Sequence, residues 1–172
     1  MSDVLLTGLE QVLTQGMAML SSLTDEGYSA KLPEPYGASV GGHYRHILDH
    51  ILCLYNGLRD GEVNYDHRSR DLRVESDRKC AMALTSTLIQ LFSQLDPAIY
   101  RRQVRVAYTV RYGGSGVEWL ESTVAREVAF CTEHAIHHYA LIKLLCAQHE
   151  TAVPQNFGIA PSTLRYRMSA AG

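Results

Sequence analysis

The sequence predicts an all-α fold: a four-helix bundle with long crossover connections and a small β-hairpin between the third and fourth helices. Three observations predict it. Four stretches of about 20 residues carry apolar side chains at steps of three and four, the repeat of a helix buried along one face. Prolines punctuate the connections between those stretches, where the missing amide hydrogen does no harm. A single short run alternates apolar and polar residues, the two-residue repeat of a strand. At 172 residues, the chain is expected to form one domain around one core, 1–172.

The first helix is expected from about Asp3 to Leu23, with Leu5, Leu9, Val12, Leu13, Met17, Leu20 and Leu23 on its buried stripe. Residues 31–37 read as a connector, because Pro33 and Pro35 forbid a helix interior. Ser39 is the expected N-cap of a second helix reaching about Leu58, with Ile47, Ile51, Leu54 and Leu58 inward. Residues 60–75 are polar and charged and read as a long loop. Loops of that length in a compact domain tend to carry function. A third helix is expected from about Ser76 to Leu95, with Met82, Leu84, Leu88, Leu91, Phe92 and Leu95 inward, and Asp96-Pro97 closing it.

Val104, Val106, Tyr108, Val110 and Tyr112 alternate, Gly113-Gly114-Ser115-Gly116 turns, and Val117 to Leu120 returns, which predicts the hairpin. The fourth helix is expected from about Ser122 to Gln148. Residues 150–172, with Pro154, Gly158 and Pro161, read as an extended tail packed on the bundle.

Composition excludes several classes. A net charge of −2, with dispersed cationic residues, argues against a nucleic-acid partner. No stretch approaches the roughly 18 uninterrupted apolar residues of a membrane span, and Met1-Ser2-Asp3 opens without a basic region or apolar signal core. Cys53, Cys80, Cys131 and Cys146 form no CxxC pair, so reduced thiols and a cytoplasmic location are expected.

The informative residues are histidines. His134 and His138 stand four apart in the fourth helix, so both imidazoles share one face. His43, His46 and His50 repeat that spacing in the second helix. A lone helical histidine is usually a satisfied core or surface residue, but two histidine stripes on two helices of one small bundle point to a shared ion. Bundle cores hold metals in this way, with facing helices projecting ligands inward. Three neutral imidazoles leave coordination positions for water or substrate, and the donor type suits zinc, nickel or iron better than magnesium or calcium. Spacing alone leaves His43, His46 and His50 as alternatives on the second helix. His137 points about 100° away from its neighbours, and His67 and His149 are expected to face solvent.

The segments Ser39-Val40-Gly41-Gly42-His43-Tyr44-Arg45-His46-Ile47-Leu48-Asp49-His50 and Glu133-His134-Ala135-Ile136-His137-His138, with the helix order, resemble the DinB/YfiT superfamily over roughly residues 3–148. The resemblance implies a metal-binding four-helix bundle with His46, His134 and His138 as ligands. His43 and His50 remain alternates for the second helix. The chain departs from the superfamily after the last pair, reading His138-Tyr139-Ala140-Leu141 where His-Arg-Gly-Gln is common.

What the resemblance implies functionally is a divalent metal and a small-molecule substrate, in an enzyme of thiol S-transferase or hydrolase type that uses a low-molecular-weight thiol in the first case. A homodimer is implied as well. The alternative is a non-catalytic, stress-related module that binds metal or a small ligand. Tyr65, Asp66, Arg68 and Arg70 are candidates for the pocket rim, an arginine being suited to hold a carboxylate or phosphate. Cys53 and Cys131 lie within reach of the histidine stripes but are expected to be inert buried thiols. Glu127, two turns before His134, is either a carboxylate partner of an imidazole or an acid favoured by the helix N-terminus.

Overall fold

The structure is a computed structural model that describes residues 2–33, 37–109, 111–113, 116–148 and 150–170. The four expected helices are present as α1 (Ser2–Ser22), α3 (Val40–Gly57), α5 (Arg78–Ser93) and α6 (Val124–Gln148). Three short helices accompany them: α2 (Asp25–Ser29), α4 (Leu72–Ser76) and α7 (Pro161–Ala170). Of the long helices, α1 and α3 each pack against both α5 and α6. The core between them joins Leu9, Leu13 and Leu20 of α1, Leu48 and Ile51 of α3, Leu88 and Phe92 of α5, and Ala135 and Ile142 of α6.

Capping explains where α3 and α5 begin. Ser39 Oγ accepts from the amide of Gly42 at 3.0 Å, the N-cap role expected of it. Asp77 caps α5 by accepting from the amides of Lys79 and Cys80. The buried stripe of α5 is Ala81, Thr85, Leu88 and Phe92 rather than the more apolar Met82, Leu84 and Leu91. Thr85 tolerates burial because its hydroxyl donates to the Ala81 carbonyl and meets the Tyr44 hydroxyl at 3.1 Å.

The structure corrects the sequence reading in two places. First, the expected two-stranded hairpin is a three-stranded sheet. Strands β2 (Gln103–Tyr108) and β3 (Glu118–Thr123) pair antiparallel, with Val106 opposite Leu120. Strand β1 (Glu62–Asn64) joins β2 in parallel, with Val63 opposite Val106. It falls in the charged segment read as a loop, and three residues are too few for alternation to register. That segment also holds a 3₁₀ turn, Tyr65–His67, and α4. Second, the tail is not extended throughout. Phe157 is buried and stacks on Tyr139, anchoring the tail to α6, but residues 161–170 form the largely exposed α7. Pro161 starts that helix, a position where its missing amide hydrogen costs nothing.

Val110, Gly114, Ser115 and His149, singled out above, lie outside the described residues, as do 34–36 of the connector. Among the described residues no helix is long and apolar enough to cross a membrane.

Candidate metal centre

Helices α3 and α6 run against each other, and their histidine stripes meet at that contact. One nitrogen from each of His46, His134 and His138 lies within 4.8 Å of the others, a set that can hold a metal ion. The Nε2 atoms of His46 and His134 are 3.0 Å apart. Two nitrogens each about 2.1 Å from one ion must lie roughly 3 to 3.5 Å apart, so this separation suits a shared ion. His43 and His50 belong to the same cluster of rings but stand outside the three-nitrogen set.

Each outer histidine has a defined partner. The Nδ1 atoms of His43 and His138 are 3.0 Å apart. His50 is buried, at 6% exposure, and its Nδ1–H donates to the His46 carbonyl at 2.8 Å. That bond fixes the tautomer of His50, leaving the lone pair on Nε2. Phe130 stacks on His134, and Tyr65 stacks on His50. His137 and His67 are exposed, as expected from their positions.

The electrostatics favour neutral rings. Burial first, then the neighbouring imidazoles, pushes His46 and His138 down to about 3 from the ordinary 6.5. His50 falls to about 4, again chiefly by burial, and His43 and His134 are lowered for the same first reason. All five rings are therefore uncharged at neutral pH, the state in which histidine binds a cation. The donor set and its protonation both fit a divalent ion of the zinc, nickel or iron type.

An open cleft of about 380 Å³ borders the cluster, lined by Ser39, His43, Arg45, His46, Glu75 and His138. Arg45 is held between two carboxylates, donating to Asp49 at 2.8 Å and to Glu75 at 3.0 Å. Sequence reasoning missed Arg45, Asp49 and Glu75. The i,i+4 spacing of Arg45 and Asp49 was a local signal for the first pair, whereas Glu75 reaches the site only through the fold.

The rim candidates separate. Tyr65 is buried, its hydroxyl donating to Glu127 Oε2 at 2.8 Å. Arg68 is half-buried and donates through Nη1 to the Tyr65 carbonyl. Arg70 and Asp66 are exposed, Asp66 accepting from Thr109 at 2.6 Å. Glu127, fully buried, also accepts from Ser122 and Arg126, so its partners are not imidazoles. Cys53 donates to the Asn64 carbonyl at 3.1 Å, and burial pushes the Cys131 thiol up to about 12. Both cysteines thus have the character of unreactive thiols.

No family profile matches the chain. FK506-binding protein 5 of Rhizopus delemar is 33% identical over 104 residues, which are 60% of this chain and 27% of that protein. The chain therefore spans about a quarter of that relative's length. Among solved structures, the DinB-like protein YjoA of Bacillus subtilis superposes with a TM-score of 0.66 at 15% identity. The superposition covers 89% of this chain and 97% of that one. The chain has the DinB-like fold, as its resemblance to that superfamily implied.

Proposed function

We propose that the chain is a metal-dependent enzyme of thiol S-transferase or hydrolase type, with His46, His134 and His138 as the ligands of a divalent ion. The observation that carries this reading is the convergence of three neutral imidazole nitrogens within 4.8 Å, beside an open cleft. A closed structural site would have no use for the cleft, so the catalytic reading is favoured over a purely metal-storing module. Bound there, zinc, nickel or iron supplies Lewis acidity that lowers the pKa of a thiol or water.

The chain's own groups do the rest. With His138 Nδ1–H donating to Nδ1 of His43, Nε2 of His138 keeps the lone pair that would meet an ion. Phe130 stacks on His134 and Tyr65 on His50, which holds the planes of those two rings. Arg45, held by Asp49 and Glu75, forms one wall of the cleft where a small-molecule substrate and a low-molecular-weight thiol would enter. Of the rim candidates Tyr65 is buried against His50, so substrate contacts fall to Arg68 and Arg70, of which Arg68 acts electrostatically on His46, His50 and His134.

A homodimer in the cytoplasm is part of the same reading. The unpaired state of all four cysteines supports the reducing compartment. The test is consumption of a halogenated aromatic electrophile with and without an added low-molecular-weight thiol, by metal-loaded and chelator-treated protein. Thiol- and metal-dependent turnover is the expected result. Metal bound tightly with no turnover of this electrophile or of a hydrolysable ester would reject the enzymatic reading.

A further inference from the structure

Among the described residues Arg68 has no carboxylate partner, unlike several other arginines of the chain. Arg45 is paired with Asp49 and Glu75, Arg59 with Asp60, Arg73 with Asp71, and Arg105 with Glu62. Among the described residues no carboxylate lies within ion-pair distance of Arg68, and its single acceptor is the Tyr65 carbonyl. Its Nε is buried without an acceptor. The two carboxylates that act on it through space, Asp49 and Asp66, are committed elsewhere: Asp49 to Arg45 and Ser69, Asp66 to Thr109. Arg70, close enough to lower the basicity of Arg68, adds a second cation with no carboxylate partner among the described residues and sits at a left-handed φ of 50°. A half-buried guanidinium with an idle donor and a like charge beside it is costly until an anion joins it.

There is room for that anion. Arg68 lines an open cleft of about 350 Å³ between α3 and residues 62–69, with Asn56, His67 and Ser69 among its polar walls. Asp60 and Glu62 also line this cleft, each already paired with an arginine. Their charges, with that of Asp49, bear harder on a dianion than on a monoanion. A flat, singly charged group also matches the planar fork of arginine.

We propose that this cleft binds the carboxylate of a small anionic ligand, with Arg68 as the principal contact and Arg70 as a supporting charge. Arg68 acts electrostatically on His46, His50 and His134, so the inference rests on the enzymatic reading and deepens it by naming its substrate class as small carboxylates. Anion binding itself requires no metal, which lets the two ideas fail separately.

The test titrates chelator-treated protein with sodium acetate, and separately with inorganic phosphate, at ionic strength held constant with sodium chloride. Binding is followed by backbone amide NMR shifts. Acetate is expected to saturate the wild type, to bind at least about tenfold more weakly to Arg68→Gln, and to bind severalfold more weakly to Arg70→Gln. Arg165→Gln, on the exposed α7, is expected to bind as the wild type does. Arg68→Lys, which keeps the charge without the fork, should fall between the wild type and Arg68→Gln, and it decides the matter should Arg68→Gln not fold. Metal content measured in parallel is expected to stay unchanged in every variant. Non-saturable acetate shifts, tighter binding of phosphate than of acetate, or acetate binding unchanged in Arg68→Lys and Arg70→Gln would each overturn the proposal.

Discussion

The Nδ1 atoms of His43 and His138 lie 3.0 Å apart although the residues are separated by 95 positions. Two neutral imidazoles at that distance share one proton, so His43 sets both the ring angle and the tautomer of His138. His43→Ala is expected to keep the metal at saturating concentration but bind it about 10- to 100-fold more weakly, the usual effect of losing a ligand's hydrogen-bond partner. Competition against a chromophoric chelator measures this. Affinity equal to the wild type would remove His43 from the site.

Acid should destabilise the metal-free protein. Unfolded histidines take up protons near 6.5, whereas folded His46, His50 and His138 resist until about 3 to 4. Between those values the unfolded chain binds more protons, so stability falls as pH drops through the window and is fully present above 6.5. Melting temperatures of chelator-treated protein at about pH 7, 6 and 5 should decline steadily. The decline should be shallower in a His46→Ala/His138→Ala double variant. Equal slopes in the two proteins would contradict the assignment of buried, neutral rings.

The buried carboxylate of Glu127 ties the sheet to the ring cluster. It accepts from Tyr65, Ser122 and Arg126, and the Tyr65 ring lies against His50. Glu127→Ala strands the buried Tyr65 hydroxyl and the half-buried Ser122 hydroxyl and is expected to cost about 3 kcal/mol, while Tyr65→Phe costs about 1 kcal/mol. Urea denaturation separates the two values, and equal costs would show that the Tyr65 bond is the whole contribution.

Much of this was legible in the sequence because helices announce themselves locally. The stripe Ile47, Ile51, Leu54 and the Ser39 cap placed α3 to within a residue or two, and the spacing of His134 and His138 placed both rings on one face. The choice of His46 over His43 and His50 was different in kind. All three share one stripe, and only the rotation and height of α3 against α6 bring His46 Nε2 to His134. Non-local pairings were likewise invisible. Nothing near Val63 signals a strand, because its partner Val106 is contributed from beyond α5. Glu75 looked like one more charge in a polar loop until Arg45 reached it. The tail helix α7 lacked an amphipathic signal because it has almost no buried face.

Close backbone approach also shapes the cleft. A Cβ on Gly41 would collide with the Glu75 carbonyl, so glycine is what allows the start of α3 to press against the end of α4. Gly41→Ala is expected to cost about 1–3 kcal/mol as overpacking and to loosen the Arg45–Glu75 pair at the cleft wall. Thermal denaturation measures the cost. A melting temperature at or above that of the wild type would show that the approach is not close in solution.

The central claim is tested most directly by elemental analysis of the protein as purified, wild type beside His46→Ala, His134→Ala and His138→Ala. The account predicts about one divalent ion per wild-type chain and a large loss in each variant, with His137→Ala retaining the ion. Metal content unchanged across the three variants, or no metal in the wild type even after loading with zinc, nickel or iron, would contradict it.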